Sequence, residues 1–390
     1  MTRFAFVMPY HISQNRGGGA EVQAWFLAAE LARRGYDVHY ICQSVVPEKS
    51  GQTEHLLGVD VHWLPQSGRF LWVDAGKYYR SLTAIMPDIV VQRMSSCITG
   101  MIGKFCRRYG RSFVWICTDN ASPDPWMHVS RQRQIYRHME VTWPKRLLFS
   151  GNAIICDIMR QRGLRCVNQA FTQNDIQQEE LRRSCGVNSQ RIISGHPRPQ
   201  NVLPACDKLA NAMVLWAGNL GYNKRPELFL ELARSCLATN LRFVMVGGGV
   251  SEQRVRGLFR DMPANLEWKH RLPLDETTSY FDRATFFTNT SVKEGFPNTF
   301  IQAWLRGVPT FSLGVDPDRV IIKNRLGYVA TDLNDLRQRL LHLASSPQEY
   351  AELSNNAQRY AIANHTIAAM TEHFLRVLQS VGIMAHQGSQ

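Results

Sequence analysis

Two short stretches combine acid, cation and glycine in spacings suited to a phosphate-bearing ligand. The first is Ser291–Pro309, SVKEGFPNTFIQAWLRGVP. An apolar run, Ala284–Thr288, predicts a buried strand before it. A polar loop with Glu294, Gly295 and Pro297 follows, then Asn298 or Thr299 as the cap of a short helix over Phe300–Arg306. Gly307 is placed to end that helix, and Val308–Leu313 reads as the next strand. A free helix N-terminus presents unpaired N–H groups and partial positive charge, which suits a phosphate. Gln302 falls one turn in, on the face of Asn298 and Thr299. An acid, a phosphate cradle and an amide can thus line one pocket; an ordinary strand–helix corner with a solvated glutamate fits the same pattern. The second stretch, Gly218–Arg225, places Lys224 and Arg225 in a strand-to-helix loop, where they can neutralise a diphosphate. A solvated basic loop is the plainer alternative.

The elements that must position these residues recur twice along the chain. Phe4–Met8 is an apolar strand, followed by the loop Pro9–Arg16, the glycines Gly17, Gly18 and Gly19, a helix over Ala20–Arg34 and a strand over Val38–Cys42. That is the start of a Rossmann-like unit, without the Gly-x-Gly-x-x-Gly fingerprint of nicotinamide binding. Further strands are predicted at Val59–Leu64, Asp88–Gln92 and Ser112–Cys117, with a helix over Ser96–Tyr109. Asp119 stands just past the Ser112–Cys117 strand, the edge where open α/β sheets bind ligands, and capping of the next segment is its simpler use. Arg131–Ser150 interleaves basic residues with Tyr136, Trp143, Leu147, Leu148 and Phe149, and Pro144 must break or bend it. Such a segment either lies on an anionic membrane surface or is a packed helix with a basic outer face. Ser194–Cys206, with three prolines, is the best linker. Strands at Met213–Trp216 and Arg242–Val246 and a Pro226-initiated helix then restart the pattern. Helices are predicted at Arg337–Leu343, Pro347–His365 and Ile367–Val381, with His386–Gln390 frayed. Alternating strands and helices predict parallel, doubly wound α/β sheets.

The run Glu294-Gly295-Phe296-Pro297-Asn298-Thr299, with a polar residue at 302 and Gly-x-Pro at 307–309, resembles the donor-site signature of family 4 glycosyltransferases. These are retaining, nucleotide-sugar-dependent enzymes of GT-B architecture, two Rossmann-like domains facing a cleft. The resemblance extends to Gly18-Gly19-Ala20-Glu21, similar to the family's N-terminal loop that meets the donor diphosphate, and to Gly218 and Lys224. Three positions depart from the pattern. Gln302 stands where the family has a second glutamate, and Asn219 replaces an arginine for which Arg225 can substitute. Thr118 or Asp119 takes the place of a histidine many members carry. The resemblance implies an N-terminal acceptor domain over residues 1–200, a nucleotide-sugar domain over 201–366, and a tail over 367–390 crossing back. It implies Glu294, Lys224 and Asp119 in catalysis. Donor binding would use Gly18, Gly19, Asn219, Lys224, Arg225, Glu294, Gly295, Phe296, Asn298, Thr299 and Gln302. The donor would be a UDP- or GDP-sugar, the acceptor a glycan or a lipid-linked one in envelope or exopolysaccharide synthesis. No cofactor or metal is expected, since Lys224 and Arg225 can neutralise the phosphates. A UDP-sugar epimerase and a non-catalytic GT-B binding protein are the alternatives.

Composition is consistent with these expectations. The chain has 390 residues, 44% hydrophobic and 20% charged, room for two domains. No apolar run reaches membrane-spanning length. Nine cysteines without metal-ligand or Cys-x-x-Cys spacing predict reduced thiols and a cytoplasmic protein. The net charge of +13 is uneven: residues 1–200 hold 25 Lys and Arg against 15 Asp and Glu, an excess of ten. Nucleic acid, an anionic membrane face or a phosphorylated acceptor could use that excess. Read with the resemblance, it predicts peripheral contact with the inner membrane face rather than nucleic acid.

Overall fold

A computed structural model describes residues 1–14, 18–67, 70–138 and 141–385. The expectations for Arg16, Gly17 and the tail His386–Gln390 lie outside the described residues. The chain divides into two units, Met1–Ile193 with the chain from Ile367 onward, and Ser194–Thr366.

In the first unit the elements are β1 (Arg3–Val7), α1 (Gly19–Arg33), β2 (Asp37–Ser44), β3 (Thr53–Leu56), β4 (Val59–Pro65), α2 (Ala75–Ile85), β5 (Ile89–Gln92), α3 (Ile98–Tyr109), β6 (Ser112–Ile116), α4 (Met127–His138), α5 (Trp143–Leu164), β7 (Gln169–Thr172), α6 (Asp175–Cys185) and β8 (Ser189–Arg191). The strands form one sheet in the order β3-β4-β2-β1-β5-β6-β7-β8, parallel except for the antiparallel edge pair β3/β4. Central strands such as FAFV and IVVQ are apolar on both faces because helices cover both faces. The basic–aromatic stretch near Pro144 becomes two helices, α4 and α5, and Pro144 sits in the first turn of α5, where its missing N–H costs nothing.

The second unit contains α7 (Ala205–Ala210), β9 (Met213–Asn219), α8 (Pro226–Ser235), β10 (Arg242–Gly248), α9 (Glu252–Leu258), β11 (Leu266–Lys269), α10 (Leu274–Arg283), β12 (Phe286–Asn289), α11 (Asn298–Trp304), β13 (Thr310–Leu313), α12 (Val320–Asn324), β14 (Gly327–Ala330), α13 (Leu333–Ala344) and α14 (Pro347–Asn364). Its six strands are all parallel, in the order β11-β10-β9-β12-β13-β14. Counted along this unit alone that is 3-2-1-4-5-6, the doubly wound order of nucleotide-binding folds. The last helix, α15 (Ile367–Ser380), returns to the first unit. There Phe374 lies 5.5 Å from the Phe171 ring, and Met370 and Leu378 are fully buried beside β1.

Candidate functional site

In a doubly wound sheet, ligands collect at the carboxyl ends of the strands where the strand order reverses. In the second unit that point lies between β9 and β12. The loop leaving β9 and the loop leaving β12 are laced together there. Val292 donates its N–H to the Asn223 carbonyl at 2.8 Å, and Asn223 Nδ2 donates to the Lys293 carbonyl at 2.9 Å. Beneath them Trp216 Nε1 donates to Thr290 Oγ1 at 3.0 Å, which in turn donates to the Lys224 carbonyl at 2.6 Å. This lacing brings Lys224 Nζ onto Glu294 Oε1 as an ion pair, with the two side chains 26% and 15% exposed. Sequence reasoning selected Lys224 and Glu294 separately, without their pairing, and missed Trp216, Thr290 and Asn223, which hold them. A tryptophan in β9 and a threonine just past β12 carry no spacing signal of a shared hydrogen bond.

Arg225 differs from the expectation. It adopts a left-handed conformation at φ 46°, and its Nε donates to the Thr290 carbonyl at 2.6 Å. Its Nη2 donates to the carbonyls of Ser291 and Leu313 at 3.3 and 3.2 Å. These three carbonyl contacts tie the loops together through Arg225. Asn219, at the exposed end of β9, accepts from the Gly221 N–H at 2.9 Å and shapes its own turn. Beside it a Cβ on Gly247 would come within 2.1 Å of the Gly218 carbonyl oxygen. The ends of β9 and β10 are therefore packed too closely for a side chain at Gly247.

After Glu294, Gly295 is buried and Phe296 packs inward, its ring 5.0 Å from His365 and 6.1 Å from Trp304. Through its ring Phe296 anchors the loop to the core. Helix α11 begins at Asn298 and has only seven residues. Pro297, locked in an extended conformation, takes the cap position with no side-chain cap, so the capping role expected of Asn298 or Thr299 does not form. Both remain half-buried in the first turn. Gly307 ends the segment as expected, at φ 63°. Gln302 is 8% exposed, and its Oε1 has no hydrogen-bond partner among the described residues. A buried acceptor left unpaired costs about 1–3 kcal/mol, so this atom is suited to a ligand hydroxyl.

In the first unit, Gly18 is the cap of α1 and Gly19 its first residue, following β1 at that sheet's own reversal point. The Gly18 N–H donates to Glu21 Oε2 at 2.7 Å. Asp119 is engaged locally. Its Oδ1 accepts from the N–H groups of Ala121 and Ser122 at 3.0 and 2.8 Å and from Ser122 Oγ at 2.9 Å, and its Oδ2 pairs with Arg131 at 2.5 Å. A carboxylate held by four donors caps a turn, the simpler use anticipated for Asp119. Among the described residues no group of three or more His, Cys, Asp and Glu side chains is placed to hold a metal ion.

Two buried histidines frame the units. His11 is enclosed by Trp25, Tyr40 and Trp63, with ring centroids at 4.3, 5.4 and 5.3 Å, and burial lowers its pKa to about 4. His365 donates its Nδ1–H to the Ser194 carbonyl, 2.9 Å away, and burial lowers its pKa likewise to about 4.

Comparison with known proteins agrees with this geometry. The Glycosyltransferase Family 4 model matches residues 17–193 and the model for Glycosyl transferases group 1 matches residues 211–346. No curated protein matches. Among solved structures, a sucrose-phosphate synthase from Thermosynechococcus elongatus superposes at a TM-score of 0.76 with 15% identity, covering 98% of this chain and 99% of that one. HepE of Anabaena, solved with UDP-glucose, gives 0.70 with 13% identity over 97% and 100%. WaaG, a glycosyltransferase involved in lipopolysaccharide biosynthesis, gives 0.69 with 13% identity over 97% and 99%. At these identities the likeness speaks for the fold. Two family models over most of the chain, two doubly wound parallel sheets and the laced Lys224–Glu294 corner together establish that the chain belongs to the family 4-type glycosyltransferases of GT-B architecture.

Proposed function

We propose that the protein transfers a sugar, with retention of configuration, from a nucleotide-diphosphate donor to a glycan or lipid-linked acceptor in envelope or exopolysaccharide synthesis. The observation that carries this reading is the Lys224–Glu294 ion pair at the reversal point, with the unpartnered Gln302 acceptor on α11 of the same unit. In it, Lys224 neutralises the diphosphate as the glycosidic bond breaks, and Glu294 accepts from hydroxyls of the sugar. The end of β9 at Gly218–Asn219 and the first-turn residues Asn298 and Thr299 contact the phosphates and nucleotide. Gln302 meets the ribose.

In this arrangement the leaving phosphate takes the acceptor proton on the same face, so no separate general base is required. Lys224 supplies the countercharge that a metal would otherwise provide. A neighbour solved with UDP and with UDP-glucose favours UDP over GDP as the first donor to try. The basic first half and the exposed Trp143, Leu147 and Leu148 beside Lys145 and Arg146 favour peripheral contact with an anionic membrane. No helix among the described residues is long and apolar enough to cross one.

The experiment is release of nucleoside diphosphate from a panel of UDP- and GDP-sugars in the presence of membrane extract. Wild type is expected to turn over at least one donor, and Lys224→Ala and Glu294→Ala to lose that turnover. Interconversion of UDP-sugars without acceptor would instead identify an epimerase.

A further inference from the structure

Five basic residues of the first half line one cavity that takes no part in the donor site. Helix α3 lies recessed between α2 and α5 because α3 and α5 cross at glycines. A Cβ on Gly163 would come within 2.1 Å of the Thr99 carbonyl oxygen, and one on Gly100 within 2.3 Å of that of Met159. The recess leaves a groove of about 1180 Å³ over α3. Its floor and walls are apolar at Tyr79, Gly100, Met101 and Met159. Lys104, Arg107, Arg111, Arg162 and Arg165 also line it, and no acidic residue does.

Of these cations, Arg111 pairs with Asp88 at 2.8 Å. Lys104, Arg107, Arg162 and Arg165 have no ion-pair or hydrogen-bonded side-chain partner among the described residues. Many other basic residues of the unit are paired, including Arg3, Arg33, Arg34, Lys49, Lys77, Arg131, Arg182 and Arg183. The ends of α3 and α5, capped at Gly110 and Arg165, both reach the groove. Each helix C-terminus carries about half a negative charge, so the two together offset about one of the four cations. The remainder is an uncompensated positive site with an apolar floor.

The groove continues onto an apolar stripe. Along α5, Ile155, Met159 and Arg162 share one face, as do Ile158, Arg162 and Arg165. Ile154, Ile155 and Ile158 are exposed, as are Trp143, Leu147 and Leu148 toward the start of the helix. Cations at one end and a solvent-facing apolar track leading from them match an amphiphile whose charge and hydrocarbon are covalently joined. The volume also exceeds the 300–1,000 Å³ of ordinary small-molecule pockets, far more than a bare phosphate fills. We propose that this groove seats the phosphate head of an anionic glycerophospholipid, with its acyl region running along the exposed face of α5. The inference deepens the membrane-surface part of the proposed function: it names the site and the lipid class, and stands apart from the donor chemistry.

The test is co-sedimentation of the full-length protein with phosphatidylcholine vesicles, with and without phosphatidylglycerol, read alongside UDP binding. Wild type should bind the phosphatidylglycerol vesicles and not the neutral ones. A juxtamembrane basic residue contributes about fivefold in affinity, so Arg107→Ala/Arg162→Ala should weaken binding about thirtyfold. Arg182→Ala/Arg183→Ala, with the same charge change on α6, should leave it unchanged. Gly76→Trp separates the groove from diffuse adsorption. Gly76 lines the groove on α2, and a Cβ there meets no atom within 4 Å, so an indole can fill the space without altering charge. Loss of vesicle binding in this variant, with UDP binding retained, supports the proposal. Three results overturn it: Gly76→Trp binding vesicles like wild type, the α6 variant losing binding as strongly as the groove variant, or glycerol 3-phosphate or inorganic phosphate displacing the protein from vesicles through these residues. A protein that binds these vesicles but not UDP would sink the donor reading and leave the groove standing.

Discussion

Replacing Gln302 with glutamate should tighten nucleotide binding, and the structure sets the scale. The side chain is 8% exposed with Oε1 unpartnered, so a ribose hydroxyl that reaches it pairs an acceptor otherwise left dry. A neutral hydrogen bond contributes about 0.5–1.5 kcal/mol and one to a charged group about 1.5–3. The carboxylate therefore gains about 1 kcal/mol per hydroxyl, and two hydroxyls about 2, which is about thirtyfold in Kd. The opposing cost falls on the free protein, where a carboxylate must sit in a nearly buried place. Arg306 one turn on limits that cost, since its Nη1 already reaches the Gln302 carbonyl at 3.1 Å. Calorimetric titration of UDP into wild type, Gln302→Glu and Gln302→Leu reads the affinity, and thermal unfolding reads the cost. The expected order of affinity is glutamate, then wild type, then leucine, with the glutamate variant melting lower than wild type. Identical Kd values for all three proteins would show that residue 302 does not face the nucleotide.

Two further outcomes follow from the same geometry. Arg225→Ala removes a guanidinium held by three carbonyls and should cost about 2–4 kcal/mol, lowering the Tm by roughly 5–15 °C. A Tm within a degree of wild type would mean that the loops are laced without it. The histidines predict acid sensitivity. His11 and His365 have folded pKa values near 4, below the ordinary 6.5, so the unfolded chain takes up their protons first as pH falls. Their contribution is full above pH 6.5, is lost between 6.5 and 4, and amounts to about 3 kcal/mol each. Denaturant titrations across that range should show the loss, and His365→Phe should flatten part of it; an unchanged slope in that variant would contradict the assignment.

Much of the architecture was legible because the central strands are buried on both faces and written as apolar runs. FAFV, IVVQ, MVLWAG and RFVMVGG leave little choice of element. The edges were not legible. Strand β3 (TEHL) and strand β8 (SQR) carry no apolar run, since an edge strand meets solvent, and β14 (GYVA) is half-buried. Helix α2 was missed as well, with only Tyr78, Leu82 and Ile85 buried. At the site, Lys224 and Glu294 could be chosen from residue type and spacing, because a cation and an acid at strand ends are local features. Whether a neighbouring charge serves ligand or scaffold is a long-range matter. Arg225 meets carbonyls 65 to 88 residues away in sequence, which no local pattern records. Asp119 was closer to readable, since an aspartate followed three residues later by serine is a turn-capping pattern, and that plainer use is the one the chain adopts.

The most direct measurement is calorimetric and catalytic together on one pair of proteins: UDP affinity and UDP release from UDP-sugars for wild type and Lys224→Ala. Losing the ammonium opposite a diphosphate removes charge-assisted hydrogen bonds of about 1.5–3 kcal/mol each, so UDP affinity should fall about tenfold to a hundredfold. Turnover should fall further, because charge on the leaving phosphate grows in the transition state. Equal UDP affinity and equal UDP release by the two proteins would contradict the placement of the donor at the Lys224–Glu294 corner.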